Sequence, residues 1–399
     1  MKRLYDGMLR MHLEEDRQML MLTGPRQVGK TTTARQAAGD HRYMTWDRQS
    51  DRMEITKGAD AVAQLLDLAT VTAAHPTVIF DEIHKYAKWK TFLKGFFDVY
   101  GGQTRTIVTG SARLGFFRRG GDSLMGRYFL YRMHPLSVAE LARPDVPATE
   151  IRPPIETSAE SLAQLLAMGG FPEPFTRNSA RFYNRWRRLR AEQLFREDLR
   201  DLTRTHEVGQ VEVLAELLAR QVGQLANYSS LAADANIAVD TVRRWIATLE
   251  SLFYCYRVRP WFRNVPKSLR KQPKVFLWDW NLVADEGARR ENLVASHLLK
   301  AVHGWTDLGL GDYDLFYLRD KAKREVDFLV TRAGKPWFLV EVKSAGKRDL
   351  NPNLEYFQRM TGAQHAFQVA FDLPFVAVDL FSRTTPVRVP ALTFLSQLL

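Results

Sequence analysis

A glycine-rich loop between an apolar run and a helical segment constrains this chain more than any other feature. Residues 24–31 read GPRQVGKT, which fits the pattern GxxxxGK[ST], and they follow the run QMLMLT at 18–23. In this context the glycines let backbone N–H groups surround a phosphate, and the helix N-terminus adds partial positive charge. The lysine reaches the β- and γ-phosphates, and the next hydroxyl binds Mg²⁺. The predicted nucleotide-binding residues are Gly24, Pro25, Arg26, Gln27, Val28, Gly29, Lys30, Thr31 and Thr32, with Thr31 as a Mg²⁺ ligand.

Short apolar runs alternate with helical segments through the first third of the chain. Strands are predicted at 18–23, 43–46, 77–81, 106–109 and 128–130, and helices at 30–38, 59–73 and 87–100. Continuous apolar strands alternating with helices indicate a parallel sheet that is covered on both faces. The fold class is therefore α/β, and a Pro-rich stretch at 143–154 ends the pattern.

Two carboxylates and a serine follow the later strands. The strand at 77–81 ends in Asp81, and Glu82 comes next. We expect Asp81 to hold Mg²⁺ through water and Glu82 to activate the attacking water. The strand at 106–109 leads to Ser111, which either senses the γ-phosphate or is an ordinary turn residue.

Several stretches together carry a resemblance to a known family. They are GPRQVGKTT (24–32), VIFDEIHKYAKWKTFLKGFFD (78–98), TGSARL (109–114), MGRYFLYRMHPLSVAEL (125–141), GGFPEPF (169–175) and REDL (196–199). The chain resembles bacterial and archaeal AAA-type ATPases with a C-terminal region of unknown function. That region holds a winged helix and a domain similar to PD-(D/E)xK nucleases. The resemblance covers nearly the whole chain and implies ATP binding and assembly into a homo-oligomeric ring or arc.

ATPases of this type usually place an arginine on the γ-phosphate, often from a neighbouring subunit. The candidates are Arg113, Arg118, Arg119 and Arg127. Arg127 is preferred because it stands just before the apolar run at 128–130, although any of the four could be a solvated side chain.

A second set of chemically active residues lies near the C-terminus. Asp327 is in the apolar run EVDFLV, and Glu341 and Lys343 end the run WFLVEVK after a tight turn at 332–335. Alternation along a strand puts Glu341 and Lys343 on one face, where Asp327 of the partner strand can join them. The pattern resembles PD-(D/E)xK nucleases, which implies Mg²⁺ or Mn²⁺ held by Asp327, Glu341 and Glu291. Lys343 would orient water or neutralise the pentavalent phosphate, and Gln358 is a weaker further member. The alternative is an edge hairpin whose Glu341 and Lys343 form an ion pair.

Residues 228–259 have helix–turn–helix spacing followed by a strand pair. Arg243 and Arg244 lie on the predicted recognition helix, whose buried stripe is Val242, Ile246 and Leu249. The stretch from 257 to 274 has seven basic residues and no acid. Basic residues neutralise phosphates, so DNA is the expected partner. The predicted nucleic-acid contacts are Arg243, Arg244, Arg263, Lys267, Arg270 and Lys271, although a winged helix used only for packing is the alternative.

Composition bounds the remaining possibilities. The 399 residues carry 57 basic and 45 acidic side chains, a net charge of +12 that divides as +5, +5 and +2 over 1–150, 151–285 and 286–399. A single cysteine excludes an intramolecular disulfide and a zinc finger. Apolar runs fall short of the ~18–20 residues that cross a bilayer, and the N-terminus has no apolar signal core. We therefore expect a cytoplasmic protein without membrane contact.

The predicted domains are an AAA-type ATPase domain at 1–150, a helical region at 151–225, a winged-helix domain at 226–285 and a nuclease-like α/β domain at 286–399. Two functions fit this organisation. One is an ATPase coupled to DNA binding and metal-dependent DNA cleavage. The other is a nucleotide-dependent switch or scaffold, of a defence or toxin–antitoxin type, whose nuclease-like domain is inactive.

Overall fold

The computed structural model describes residues 1–70, 75–110, 124–199, 207–262, 272–343 and 349–399. The chain divides into two compact units. The first comprises residues 1–134 and 144–146, and the second comprises residues 135–143 and 147–399. Within the described ranges, no helix is both long enough and apolar enough to span a membrane.

The first unit is built on a five-stranded parallel sheet with strand order β2–β3–β4–β1–β5. The strands are β1 (Met19–Thr23), β2 (His41–Thr45), β3 (Thr77–Asp81), β4 (Arg105–Gly110) and β5 (Tyr128–Arg132). The helices are α1 (Leu4–Glu15), α2 (Lys30–Ala38), α3 (Gln49–Lys57), α4 (Ala59–Leu65) and α5 (Trp89–Tyr100), with a 3₁₀ turn at Ile83–Lys85. The prediction of a parallel sheet from alternating apolar runs is confirmed.

Burial explains why these runs became central strands. Every residue of β1 and β3 is buried, as expected for strands with helices over both faces. On β3, Phe80 meets Phe92 and Phe96 of α5 edge-on, with ring centroids 5.5 and 5.6 Å away. Because all five strands run in the same direction, their carboxyl ends meet at one edge of the sheet, which positions the loops that follow β1, β3 and β4.

The second unit contains a seven-stranded mixed sheet with order β12–β11–β10–β9–β8–β6–β7. Its strands are β6 (Cys255–Pro260), β7 (Lys274–Leu277), β8 (Tyr313–Arg319), β9 (Glu325–Arg332), β10 (Lys335–Lys343), β11 (His365–Ala370) and β12 (Val387–Pro390). The helices are α6 (Val138–Ala142), α7 (Ala159–Met168), α8 (Pro172–Arg177), α9 (Ala180–Glu192), α10 (Val208–Arg220), α11 (Tyr228–Asp234), α12 (Val239–Ser251), α13 (Glu286–Asp307), α14 (Pro352–Thr361) and α15 (Ala391–Ser396). A π-helical segment at Gln193–Asp198 extends α9, and 3₁₀ turns lie at Trp280–Leu282 and Leu380–Ser382.

The strand pair after the helix–turn–helix is part of this large sheet. Only β6 falls at the end of the predicted segment 228–259; it pairs antiparallel with β7, which lies beyond that segment, and parallel with β8. The helix α12 buries Val242, Ile246 and Leu249, the predicted stripe, together with Trp245. The two strands that follow α12 therefore lie in the same sheet as the C-terminal strands.

The apolar run FVAVDL at 375–380 predicts a further strand from the sequence, and this prediction is wrong. These residues form irregular backbone that ends in the 3₁₀ turn Leu380–Ser382, and the strands nearby are β11 and β12. Val376 and Val378 are exposed, so the alternating apolar residues there do not cover a core. The backbone N–H of Val376 donates to Thr393, and that of Leu380 donates to Gln397, in place of a neighbouring strand.

Candidate functional site

The loop between β1 and α2 has the backbone that phosphate binding requires. Gly24 has φ 153°, and a Cβ built there would lie 2.4 Å from the carbonyl oxygen of Met133, so only glycine fits. Gly29, with φ 106°, caps the N-terminus of α2. The Nζ atom of Lys30 donates to the carbonyls of Gly24 and Pro25 at 2.9 and 2.8 Å. The loop is thus closed around the lysine, at the carboxyl edge of the sheet.

Asp81 is a carboxylate at this edge whose two oxygens both accept hydrogen bonds. Its Oδ1 accepts from the hydroxyl of Thr109 at 2.5 Å. Its Oδ2 accepts from Thr31 at 3.1 Å and from Tyr43 at 2.6 Å. The predicted Mg²⁺ ligand Thr31 and the predicted water-mediated ligand Asp81 are therefore in direct contact. Together with the glycine cradle, this donor set fits a nucleoside triphosphate with Mg²⁺.

Glu82 lies beside this pair in a left-handed backbone conformation, with φ 55°. Burial raises the pKa of its carboxyl group, which the nearby Lys30 and Lys85 partly oppose. Its buried Oε2 accepts no hydrogen bond from the described residues, and it lies 3.6 Å from His84 Nε2 and 3.7 Å from Lys85 Nζ. A half-desolvated carboxylate with a raised pKa is suited to accept a proton from water.

Two residues that support this site lie outside the sequence motifs. Tyr43, on the edge strand β2, donates to Asp81, and the guanidinium of Arg35 stacks over its ring at 3.8 Å. Arg3, before α1, is buried, and it donates to the carbonyls of Val28 and His134, both at 2.8 Å. Both contacts are between residues far apart in sequence, so only the fold reveals them.

The other residues predicted for the ATP site fall into two groups. Ser111 and the arginines Arg113, Arg118 and Arg119 lie outside the described residues. Arg127 precedes β5, and its backbone carbonyl accepts from Met19 at the start of β1. The phosphate-binding loop follows the other end of β1, about 16 Å away at ~3.3 Å per residue. Arg127 pairs with Asp98, with Nε at 2.6 Å from Oδ1.

The C-terminal carboxylates surround a lysine that the sequence analysis placed in a basic surface stretch. The side chain of Lys274 is 3% exposed, and its Nζ lies 2.7 Å from Glu325, 3.4 Å from Glu291 and 3.5 Å from Asp327. Burial lowers its pKa, but these carboxylates outweigh that effect and the net shift is upward. Burial and the Asp327 charge raise the pKa of Glu291 to about 8. The interpretation of Lys274 as part of a basic surface is therefore wrong.

Glu341 and Lys343 adjoin this cluster. Oε1 of Glu341 accepts from Lys343 at 2.6 Å and from Asn351 at 2.7 Å, while its buried Oε2 has no hydrogen-bond partner among the described residues. Burial, followed by the charge of Asp327, raises the pKa of Glu341. Gln358 donates instead to the carbonyls of Ala363 and Thr384.

These residues fit a lysine better than they fit a metal. Nowhere in the described ranges do three or more His, Cys, Asp or Glu side chains form a group that could hold a metal ion. The ammonium of Lys274 already occupies the position between Glu291 and Asp327 that a shared cation would take.

The predicted nucleic-acid residues are only partly described. Arg263, Lys267, Arg270 and Lys271 lie outside the described residues. Arg243 and Arg244 are exposed on α12, and Arg243 pairs with Asp240 at 3.0 Å. Arg257, at the start of the acid-free stretch, pairs with Glu250. Both described ends of that stretch, Arg257 and Lys274, are thus neutralised within the fold.

Comparison with known proteins agrees with this geometry. Residues 16–142, which include the phosphate-binding loop and all five strands of the first sheet, match the family described as AAA domain. Residues 159–286 and 286–372 match two domains of unknown function, DUF8612 and DUF4143.

Among individual proteins, the chain is 24% identical over 326 residues to the uncharacterized proteins Rv2008c of Mycobacterium tuberculosis and Mb2031c of Mycobacterium bovis. These alignments cover 80% of this chain and 69% of each relative. Among solved structures, it is similar to the Walker-type ATPase PABY2304 of Pyrococcus abyssi, with 14% identity, a TM-score of 0.41, and coverage of 72% of this chain and 94% of that one.

Proposed function

We propose that this protein binds ATP and hydrolyses it in a Mg²⁺-dependent reaction at the carboxyl edge of the first sheet. The observation that carries the proposal is the direct contact of Thr31 with Asp81 next to Lys30 in a closed glycine loop. When bound, Mg²⁺ would neutralise charge on the phosphates, and Thr31 and Asp81 would hold it.

The roles of Lys30 and Glu82 follow from where each side chain lies and from its protonation state. Lys30 would leave its loop carbonyls to neutralise the β- and γ-phosphates. Glu82 would accept a proton from the water whose oxygen attacks the γ-phosphorus. The bond from that phosphorus to the bridging oxygen then breaks, and ADP leaves with the electron pair. The raised pKa of Glu82 supports this role. A general base works best when its pKa lies near the operating pH, and burial shifts the pKa of this carboxylate toward neutral pH.

Nucleotide binding is tested with a fluorescent ATP analogue and the purified full-length chain. We expect K30A to lose at least about tenfold in affinity, because a charge-assisted contact to phosphate is removed. K57A is the control, since Lys57 is an exposed lysine that pairs with Glu54. Equal affinities of wild type and K30A would contradict the assignment of the site.

We also propose that ATP hydrolysis is coupled to DNA. The net charge of +12 and the exposed Arg243 and Arg244 on the second helix of a helix–turn–helix support this proposal. The test is the steady-state rate of phosphate release with and without double-stranded DNA. A rate that DNA leaves unchanged, with no binding of labelled DNA, would overturn the coupling and leave the ATPase proposal standing.

For the C-terminal domain, the alternative of an inactive nuclease-like site is favoured. Lys274 is almost fully buried among Glu291, Glu325 and Asp327, where it supplies positive charge that a metal would otherwise supply. We propose that this domain binds a partner without cutting it. In a cleavage assay with Mg²⁺ or Mn²⁺, wild type should leave plasmid and linear DNA intact. Cleavage that is lost in both D327A and K343A would establish the nuclease function instead.

A further inference from the structure

The outer face of α9 presents arginine side chains in a row. Arg181, Arg185 and Arg188 are exposed, and their spacing of four and three residues places them on one side of the helix. The side chains of these three arginines make no ion pair or hydrogen bond with another described residue. Glu192 continues the same row at the end of the helix and is also exposed. The row therefore carries three positive charges and one negative charge.

The opposite face of α9 fixes the orientation of this row. Tyr183 and Trp186 are buried, and the ring of Trp186 lies 5.2 Å from that of Phe171. The guanidinium of Arg190 stacks 3.8 Å over Phe171, and its Nη1 lies 3.3 Å from Asp279. The side chains of this last pair are 15% and 2% exposed, so the helix is held by a desolvated contact. The arginine row therefore faces away from the packed side.

We propose that this arginine row binds the phosphate backbone of DNA, a proposal that rests on the proposed coupling to DNA and assigns it a surface. Along the helix axis the three arginines are separated by about 6 and 4.5 Å, at ~1.5 Å per residue. Guanidinium groups bind phosphates bidentately, and such contacts supply most of the sequence-independent affinity for DNA.

A nucleic acid explains this surface better than an acidic protein does. Protein interfaces depend on buried apolar or aromatic anchors at their centre. The row itself contains arginine and glutamate only, with the polar Asn184 beside it and the exposed Leu189 to one side. Phosphate contacts need no such anchor. The side chains of the three arginines in the row have no ion-pair partner among the described residues, whereas on α12 Arg243 is paired with Asp240.

The test measures the affinity of the full-length protein for a fluorescently labelled DNA duplex over a range of salt concentrations. The triple variant R181Q/R185Q/R188Q should lose at least about tenfold in affinity, and the slope of log K against log salt should fall by about 2–3, at ~0.9 per phosphate contact. E192Q, which removes the negative charge from the row, should bind more tightly than wild type. The comparison variant R243Q/R244Q on α12 should change the slope by less per arginine removed than the triple variant.

Each outcome has one meaning. If wild type fails to bind DNA, both the coupling and this surface are wrong. If wild type binds and the triple variant binds equally well while R243Q/R244Q does not, the surface is wrong and the coupling stands. If polyglutamate displaces DNA at equal charge concentration in wild type but not in the triple variant, an acidic protein is the partner and the proposal fails. The ATPase rate without DNA, which should match wild type, verifies that the triple variant is folded.

Discussion

Tyr43 is the residue whose role in the candidate ATP site the sequence least suggested. Its hydroxyl donates to Asp81 Oδ2, the same oxygen that accepts from Thr31. Burial, followed by the hydrogen bond to Asp81, raises the pKa of the Tyr43 phenol, so the tyrosine stays a donor. A fixed donor of this kind orients a carboxylate toward the cation it serves.

We therefore predict that Y43F requires about tenfold more Mg²⁺ for half-maximal ATP hydrolysis, since outer-shell partners typically affect metal affinity by ~10–100-fold. A Mg²⁺ titration at saturating ATP measures this. Y100F is the matched control because Tyr100 also donates to a carboxylate, Asp60, but outside the site. If Y43F and Y100F have the same Mg²⁺ dependence as wild type, Tyr43 has no positioning role.

His297, in the second unit, predicts a dependence of stability on pH. Its Nε2 accepts from the N–H of Val138 at 3.0 Å, so its Nδ1 donates to the carbonyl of Leu293 at 2.8 Å. Burial lowers the pKa of the ring to about 3. The unfolded state therefore takes up a proton near pH 6.5 that the folded state refuses.

The stability that neutral His297 contributes is full above about pH 6.5 and falls by about 1.4 kcal/mol per pH unit as the pH drops toward 3. H297Q should reduce this slope of unfolding free energy against pH between 6.5 and 5. Chemical denaturation of both proteins at several pH values measures it. Equal slopes of unfolding free energy against pH for wild type and H297Q would contradict the conclusion that the His297 ring is buried and neutral.

At the scale of elements, α1 is tied to the phosphate-binding loop through Arg3. The backbone N–H of Arg3 donates to Asp6 at 2.8 Å, and its guanidinium donates to Val28 within the loop. Val28 has no exposed surface, so its carbonyl depends on this donor rather than on bulk water. The start of α1 therefore helps to fix the conformation of the loop.

R3M should weaken ATP binding by about tenfold and lower the melting temperature, because two buried carbonyls lose a donor at a cost of ~1–3 kcal/mol each. R10M is the control, since Arg10 is an exposed arginine of the same helix. Titration with the fluorescent ATP analogue and thermal denaturation measure the two effects. A lower melting temperature with unchanged ATP affinity would reduce Arg3 to a purely structural role.

Local pattern predicted most elements of the fold but few contacts between distant residues. The runs at 77–81 and 30–38 became β3 and α2 with the predicted bounds, because their apolar or helical pattern agrees with their burial. The run at 375–380 failed because alternation alone cannot tell a strand from exposed loop residues. Strand alternation predicted that Glu341 and Lys343 share a face with Asp327, and the resemblance to nucleases suggested Glu291 on the preceding helix. The position of Lys274 between Glu291 and Asp327 depends on β7 joining the same sheet and was not predictable.

At the scale of the whole molecule, the position of Arg127 bears on assembly. This residue lies at the opposite end of β1 from the loop that Lys30 closes, so it cannot serve the ATP site of its own subunit. We expect it to act on the ATP site of a neighbouring subunit after its pair with Asp98 opens. This expectation depends on the prediction that the protein assembles into a homo-oligomer.

Mixing two inactive variants tests this arrangement. K30A and R127A should each hydrolyse ATP slowly alone, while an equimolar mixture should recover up to about a quarter of the wild-type rate, because mixed neighbours form complete sites. R127A should still bind the ATP analogue. A mixture no faster than the mean of its components would contradict a shared site, as would full activity of R127A.

The claim that this protein is an ATPase is tested most directly by comparing wild type with E82Q in ATP binding and phosphate release. Glutamine keeps the shape of Glu82 but cannot accept the proton from water. The account predicts that E82Q binds the ATP analogue at least as tightly as wild type and releases phosphate at least about 100-fold more slowly, in the range that general-base catalysis contributes. Phosphate release at the wild-type rate by E82Q would contradict it.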